Sequence, residues 1–431
     1  MRYFLIFFFL IPKLLLAQET PPKFELLLKG GEVIDPKNGI DAMLDVGIRD
    51  HKIAAVEKDI PESAAGKTIQ LHGLVVSPGL LDIHTHNYAG TGMRNAYDGD
   101  NSVYPDGFTF RACVTTVVDA GSSGWRNFPD FKDRIIDRAQ TRVLAFVNIV
   151  GSGMGGGKIE QNVDDMDPQA TAAIAKDYPD IIVGFKTAHF TGPEWTAVDR
   201  VVAAGKIAGL PVMIDFGNFR PERPYEELVS SKLRPGDIST HMYLDYIHML
   251  DAEGKVLPYL FAARKRGIIF DVGHGMGSFP FNQAIPAVQQ GFVPDSISTD
   301  LHIGGMNAGM KDMDNVMSKF LNMGMTLPDV ILRSTWNPAK EIHHQELGNL
   351  SVGSVADISV HKVEKGKFGF TDSLGGRLDG DRKLVCELTV RNGRVVWDLN
   401  GISRAPWQQG ASTAKDAAWD ATIQHHGPRP H

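Results

Sequence analysis

Two histidines in LLDIHTH, His84 and His86, stand two apart at the end of an apolar run. On an extended strand, residues i and i+2 project to the same face, so both imidazoles can reach one ion. A His-x-His pair is common by itself, and its weight depends on what else the chain brings to that face. Lys186 closes the apolar run DIIVGFK. A buried ammonium is costly to desolvate and is pushed towards its neutral form. A neutral lysine amine adds carbon dioxide to give a carbamate, whose two oxygens suit it to bridge two metal ions. His241 in DISTHMYL and Asp300 in DSISTDLH end later runs and complete a nitrogen and oxygen donor set suited to zinc. Each residue also has an ordinary reading. Lys186 can snorkel, His241 can be structural and Asp300 can cap a helix. Their order along the chain favours the metal.

The elements that must position them follow from periodicity. Between residues 76 and 347, short β-branched runs alternate with helical stretches such as EWTAVDRVVAAGKIAG and NVMSKFLNMG, which implies a parallel sheet. Eight runs end in a polar residue: His84, Asp119, Asn148, Lys186, Asp215, His241, Asp271 and Asp300, spaced 26 to 38 residues apart. That is the rhythm of a (β/α)8 TIM-type barrel, an α/β fold whose chemistry sits at the C-terminal ends of its strands. Residues 24 to 75 and 348 to 400 alternate instead with a period of two and carry turn signals, including Asn392-Gly393. Both ends of the chain are therefore expected to combine into one small β-sandwich domain. The glycine-rich GSGMGGGK at 151 to 158 fails the P-loop pattern, because Ser152 and Ile159 occupy required positions. It reads as the loop after the third barrel strand.

The chain has 431 residues and a formal charge of -7, with no basic stripe for nucleic acid. Residues 1 to 17, MRYFLIFFFLIPKLLLA, have the layout of a secretory signal peptide, with a retained anchor as the alternative. Export to the periplasm or medium without stable membrane insertion is expected. The two cysteines, Cys113 and Cys386, are far apart in apolar stretches and are read as buried small hydrophobes, with no disulfide. The segment 406 to 431, which includes His425 and His426, is expected to be a poorly ordered tail.

GLLDIHTH, VGFK, STHMYL, FDVGHGMGSF and DSISTDLH resemble the amidohydrolase superfamily, and within it the dihydroorotase-like deacetylases. The flanking KGGEVIDP, IRDHKIAAV, LGNLSVGSVADISV and TVRNGRVVWD resemble that family's β-sandwich strands, so the likeness spans about residues 24 to 400. It implies that His84, His86 and Asp300 hold one zinc, that carboxylated Lys186 bridges, and that His241 helps to hold a second. The chain departs from the family at PVMIDFG, which places Asp215 where relatives usually carry histidine. Either Asp215 serves as an oxygen ligand of that second ion, or one metal alone binds tightly. A further departure lies in KTAHF, where no arginine follows Lys186 and His189 stands nearby. His189, His274 and His302 are expected to contact substrate.

The reaction implied is hydrolysis of an amide or ester in a small N-acyl, O-acyl or cyclic amide substrate. Asp300 takes a proton from water and returns it to the leaving group. A homo-oligomer is expected. The alternative is a metal-depleted, non-catalytic barrel acting in binding or assembly.

Overall fold

The computed structural model describes residues 22–217 and 220–409. Residues 1 to 17, read above as a signal peptide, and all but the first few residues of the expected tail lie outside them. Strands β1 (Phe24–Asp35), β2 (Ile40–Arg49), β3 (Lys52–Glu57), β4 (Ala65–Gln70) and β5 (Val75–Pro78) come from the first part of the chain. A run of parallel strands follows: β6 (Leu80–Thr85), β7 (Val114–Gly124), β8 (Arg142–Asn148), β9 (Ile182–Thr187), β10 (Val212–Ile214), β11 (Ile238–Ser239) and β12 (Ile269–Phe270). The last three are β13 (Ile358–Thr371), β14 (Arg377–Arg391) and β15 (Arg394–Asp398).

The first and last groups share one mixed sheet, in the order β15-β14-β13-β5-β1-β2-β3, with β4 beside β1. Strand β13 pairs antiparallel with β5, and this pairing joins the two ends of the chain. Leu26, Leu28, Val46, Ile48, Ile358 and Leu388 fill its core. Arg391 pairs with Arg394, and the two residues between them, Asn392 and Gly393, have φ of 51° and 75°. Positive φ at both central positions is the mirror-image turn whose twist matches a hairpin, and Asn-Gly adopts it readily.

Strands β6 to β12 form the second sheet in sequential order, each parallel to its neighbour. Strands β6, β7 and β9 are buried along their whole length. A parallel sheet covered on both faces explains why they show no two-residue alternation of apolar and polar positions. Leu81, Ile83, Val118, Leu144, Phe146, Val183 and Met213 make one core, shared with Ala339 and Ile342 of a later segment. The helices make the other. Helix Thr196–Ala208 buries Ala197, Val198, Val201, Val202 and Ala204, one stripe of a 3.6-residue period. It ends at Gly209, whose φ of 71° suits a residue without Cβ. The sheet curls. Residues 296–301 make isolated parallel bridges to both of its edges, Ser296 with Asp271 and Leu301 with Thr85.

One expectation is overturned. Cys113 and Cys386 form a disulfide with a Cα–Cα distance of 5.4 Å. The residues are 273 apart in sequence, and only the packing of β14 against the start of β7 brings them together. The bridge ties the mixed sheet to the curled one. Helix Met313–Asn322 reinforces this seam. Asp314 accepts a hydrogen bond from the Cys386 amide at 2.9 Å, and the Ser318 hydroxyl accepts one from the Leu384 amide at 2.9 Å. Asp357 joins Arg142 across the same seam at 2.6 Å and Arg391 within the mixed sheet at 3.2 Å. No helix among the described residues is long and apolar enough to cross a membrane.

Candidate metal centre and active site

All the polar strand ends fall on one rim of the curled sheet. His84 lies in β6, Lys186 in β9, and Asp215 directly after β10. His241 is two residues past β11, and Asp300 lies in the bridging segment 296–301. His84, His86 and Asp300 converge, with their ligand atoms all within 4.8 Å of one another. Asp300 Oδ1 stands 3.1 Å from His86 Nε2 and 3.6 Å from His84 Nε2. That oxygen is buried and has no hydrogen-bond partner. A buried carboxylate oxygen left unpaired is costly, and a cation between it and the two imidazoles satisfies it. The donor set therefore fits a divalent metal ion.

The rest of the protein orients these ligands. His84 Nδ1 is 2.8 Å from the Thr240 hydroxyl, which donates to Asp271 at 2.7 Å. His86 Nδ1 is 2.9 Å from the Ser122 hydroxyl. Both Nε2 atoms are thus left facing the site, as metal-ligating histidines usually are. Burial, and then the nearby Lys186, hold the His84 imidazole well below its ordinary pKa. Burial likewise lowers His86 to about 4, so both rings are neutral and able to coordinate. Burial alone would raise the Asp300 carboxyl, but His302 and His84 outweigh it and keep it well below the usual carboxylate range.

Lys186 is fully buried, with Nζ 3.2 Å from His84 Nε2. Burial lowers its pKa against the opposing pull of Asp215 and Asp300. Its stem passes Gly121, where an added Cβ would sit 2.8 Å from Lys186 Cβ and Cγ. Gly273 keeps similar room, since a side chain there would meet His241 Nδ1 at 2.8 Å and His84 Nδ1 at 3.0 Å.

Asp215, His241 and Asp300 open onto a cavity of about 180 Å³, which His189, His302, Tyr97, Tyr246 and Met276 also line. Asp215 Oδ1 accepts from the Gly217 amide at 2.9 Å. Its Oδ2 lies 3.4 Å from His189 Nε2 and 3.7 Å from His241 Nε2. Although burial would raise it, His241, His189 and Lys186 hold this carboxyl at about 2. His302 joins the cavity with Nδ1 2.7 Å from the Asp300 carbonyl. His274 points elsewhere. It is fully buried, stacks on Phe279 with ring centroids 4.5 Å apart, and places Nε2 2.7 Å from Lys319 Nζ. It does not line the cavity.

Sequence reasoning missed Tyr97, whose ring centroid lies 4.3 Å from that of His86 and 5.7 Å from that of His189. It also missed Glu160, which meets His189 Nδ1 at 2.8 Å. Both come from loops that carry no period. Thr240 and Ser122 were missed as well, although Thr240 directly precedes His241 in STHM.

The chain is 30% identical to a deacetylase of Enterococcus faecalis over 361 residues, 82% of this chain and 93% of that protein. It is 33% identical to a deacetylase of Agrobacterium fabrum over 335 residues, covering 76% and 80% of the two chains. Among solved structures it resembles an adenine deaminase, with a TM-score of 0.79 at 27% identity, covering 87% of this chain and all of that one. It also resembles a dihydroorotase, with a TM-score of 0.74 at 30% identity over 86% and 99% of the chains. No family model matches the sequence. Likeness over most of its length to these deacetylases and to the dihydroorotase places the protein in the amidohydrolase superfamily.

Proposed function

We propose that the protein is a zinc-dependent hydrolase of small amides or acyl esters, of the deacetylase or cyclic amidase type. The observation that carries this reading is the unpaired, buried Asp300 Oδ1 facing two neutral imidazoles. His84, His86 and Asp300 would hold the ion, with Lys186, carboxylated at Nζ, beside it. A divalent ion bound there lowers the pKa of a water towards neutrality and polarises an acyl carbonyl.

The chain's own residues do the rest. Asp300, anionic at neutral pH, accepts the proton of the attacking water and returns it to the departing amine or alcohol. His302 lines the cavity beside Asp300 and serves on this reading as a substrate contact. Tyr97, Tyr246 and Met276 line the walls of the cavity. The small volume suits an acylated amino acid, an acyl hydroxy acid or a cyclic amide better than a protein.

Residues 296–301, bridged to both sheet edges, serve on this reading as the eighth strand of a closed (β/α)8 barrel. The leader sequence and the disulfide both favour an exported enzyme, because disulfides persist in oxidising compartments. The test is metal analysis of protein prepared with zinc and bicarbonate, joined to a hydrolysis screen over those three substrate classes. Bound zinc and turnover of one class are expected. Protein with neither metal nor activity would overturn the reading in favour of a non-catalytic binding protein.

A further inference from the structure

His189 has a setting that a substrate contact does not require. Its backbone is in the left-handed region, with φ of 55°, as are His241 at 56° and Asp300 at 53°. Such backbone is unusual for residues with a Cβ and persists where the surroundings impose it. At His189 the two residues Glu160 and Gln161 impose it. Gln161 Nε2 donates to the His189 carbonyl at 2.9 Å, and Glu160 Oε2 holds the ring through Nδ1 at 2.8 Å. Glu160 is itself buried and fixed by the Gly156 amide at 2.8 Å.

The ring therefore shares a pattern with the other histidines of the site. His84, His86 and His241 each commit Nδ1 to a protein oxygen and turn Nε2 inward, His241 through the Gly273 carbonyl at 2.6 Å. His189 does the same, with a carboxylate behind it, and a carboxylate–imidazole pair behind a metal raises the basicity of the ligand. Its Nε2 faces Asp215 Oδ2 at 3.4 Å, and His241 Nε2 faces the same oxygen at 3.7 Å. These gaps are long for charge-assisted hydrogen bonds, which run about 2.7–2.9 Å. Two ligands each about 2.1 Å from one tetrahedral ion stand roughly 3.4 Å apart. The first cluster shows the same spacing, 3.1 and 3.6 Å about Asp300 Oδ1. The second set is the more open, since only the first has all its ligand atoms within 4.8 Å of one another among the described residues. An ion seated on Asp215 Oδ2 would draw the two imidazoles together.

We infer that His189 is a metal ligand, which with Asp215 and His241 holds a second divalent ion on the cavity side of the site, and that Glu160 orients it. The inference rests on the metal-hydrolase reading and extends it to a residue first assigned to substrate. The experiment is zinc stoichiometry by mass spectrometry, with visible spectra of the cobalt-loaded protein, on the full chain in bicarbonate buffer. The wild-type protein is expected to bind two equivalents. His189→Ala should bind one and lose part of the cobalt absorption, while its circular dichroism stays unchanged. Glu160→Gln should keep two but release the second about 10- to 100-fold more readily to a chelator. His189→Gln, closer in size, gives the same readout should the alanine variant fold poorly, and it too should bind one. A single equivalent in the wild type would overturn the inference and leave the hydrolase reading intact. Two equivalents retained in both His189 variants would overturn it as well. No metal in the wild type would sink both.

Discussion

The His84 and His86 side of the site is sealed, the Asp215, His189 and His241 side faces the cavity, and Asp300 stands between them. On the sealed side the two imidazoles are almost wholly buried, and hydroxyls from neighbouring strands hold them. On the other side the His189 side chain keeps 41% of its surface exposed, and a loop carboxylate orients it. The two sides use the same residue types, yet the first is fixed by strand packing and the second depends for His189 on a loop clamp. Strand-borne ligands are preorganised and should bind metal tightly, whereas loop-borne ligands tune the site and exchange more readily.

The largest effect should come from the carboxylate between the two sides. Asp300→Asn keeps the shape but removes the proton acceptor, so turnover should fall by about 10²- to 10⁴-fold or more with the melting temperature little changed. Retained activity would show that another group accepts the proton. Next, Thr240→Val takes away the partner of His84 Nδ1 and should weaken the tight metal by about 10- to 100-fold in chelator competition. If it weakens only a loosely held ion, the two sides have been distinguished wrongly. Ser122→Ala does the same for His86 and should cost somewhat less, about tenfold, because the ring stays packed against Tyr97. The smallest effect is expected at Tyr97. Tyr97→Leu loses the ring contacts with His86, His189 and His302, which should lower stability by about 1 kcal/mol in thermal melts and raise KM a few-fold without altering metal content. A change in metal content there would mean that the cavity wall helps to hold the ion.

The sealed side and Asp300 were the more legible in sequence. These ligands sit on or just past β6 and in the segment that follows β12, where apolar runs ending in a polar residue mark the strand ends. The same rhythm located Lys186, Asp215 and His241. Loops have no such period, so Glu160 and Tyr97 left no signal, and His189 was assigned to substrate by proximity alone. His274 belongs to a recognisable segment, but its ring turns towards Lys319, and no sequence pattern records that rotation.

The sequence by itself determined the parallel-sheet middle, the Asn392-Gly393 hairpin and the order of the candidate metal ligands, because each follows from local periodicity or from one turn's backbone demands. The tertiary structure alone decided which imidazoles share an oxygen, which ring nitrogen each presents, and that Cys113 meets Cys386 across 273 residues. Those outcomes depend on how the two sheets pack, and contacts between distant segments leave no trace in the spacing of any single stretch of chain.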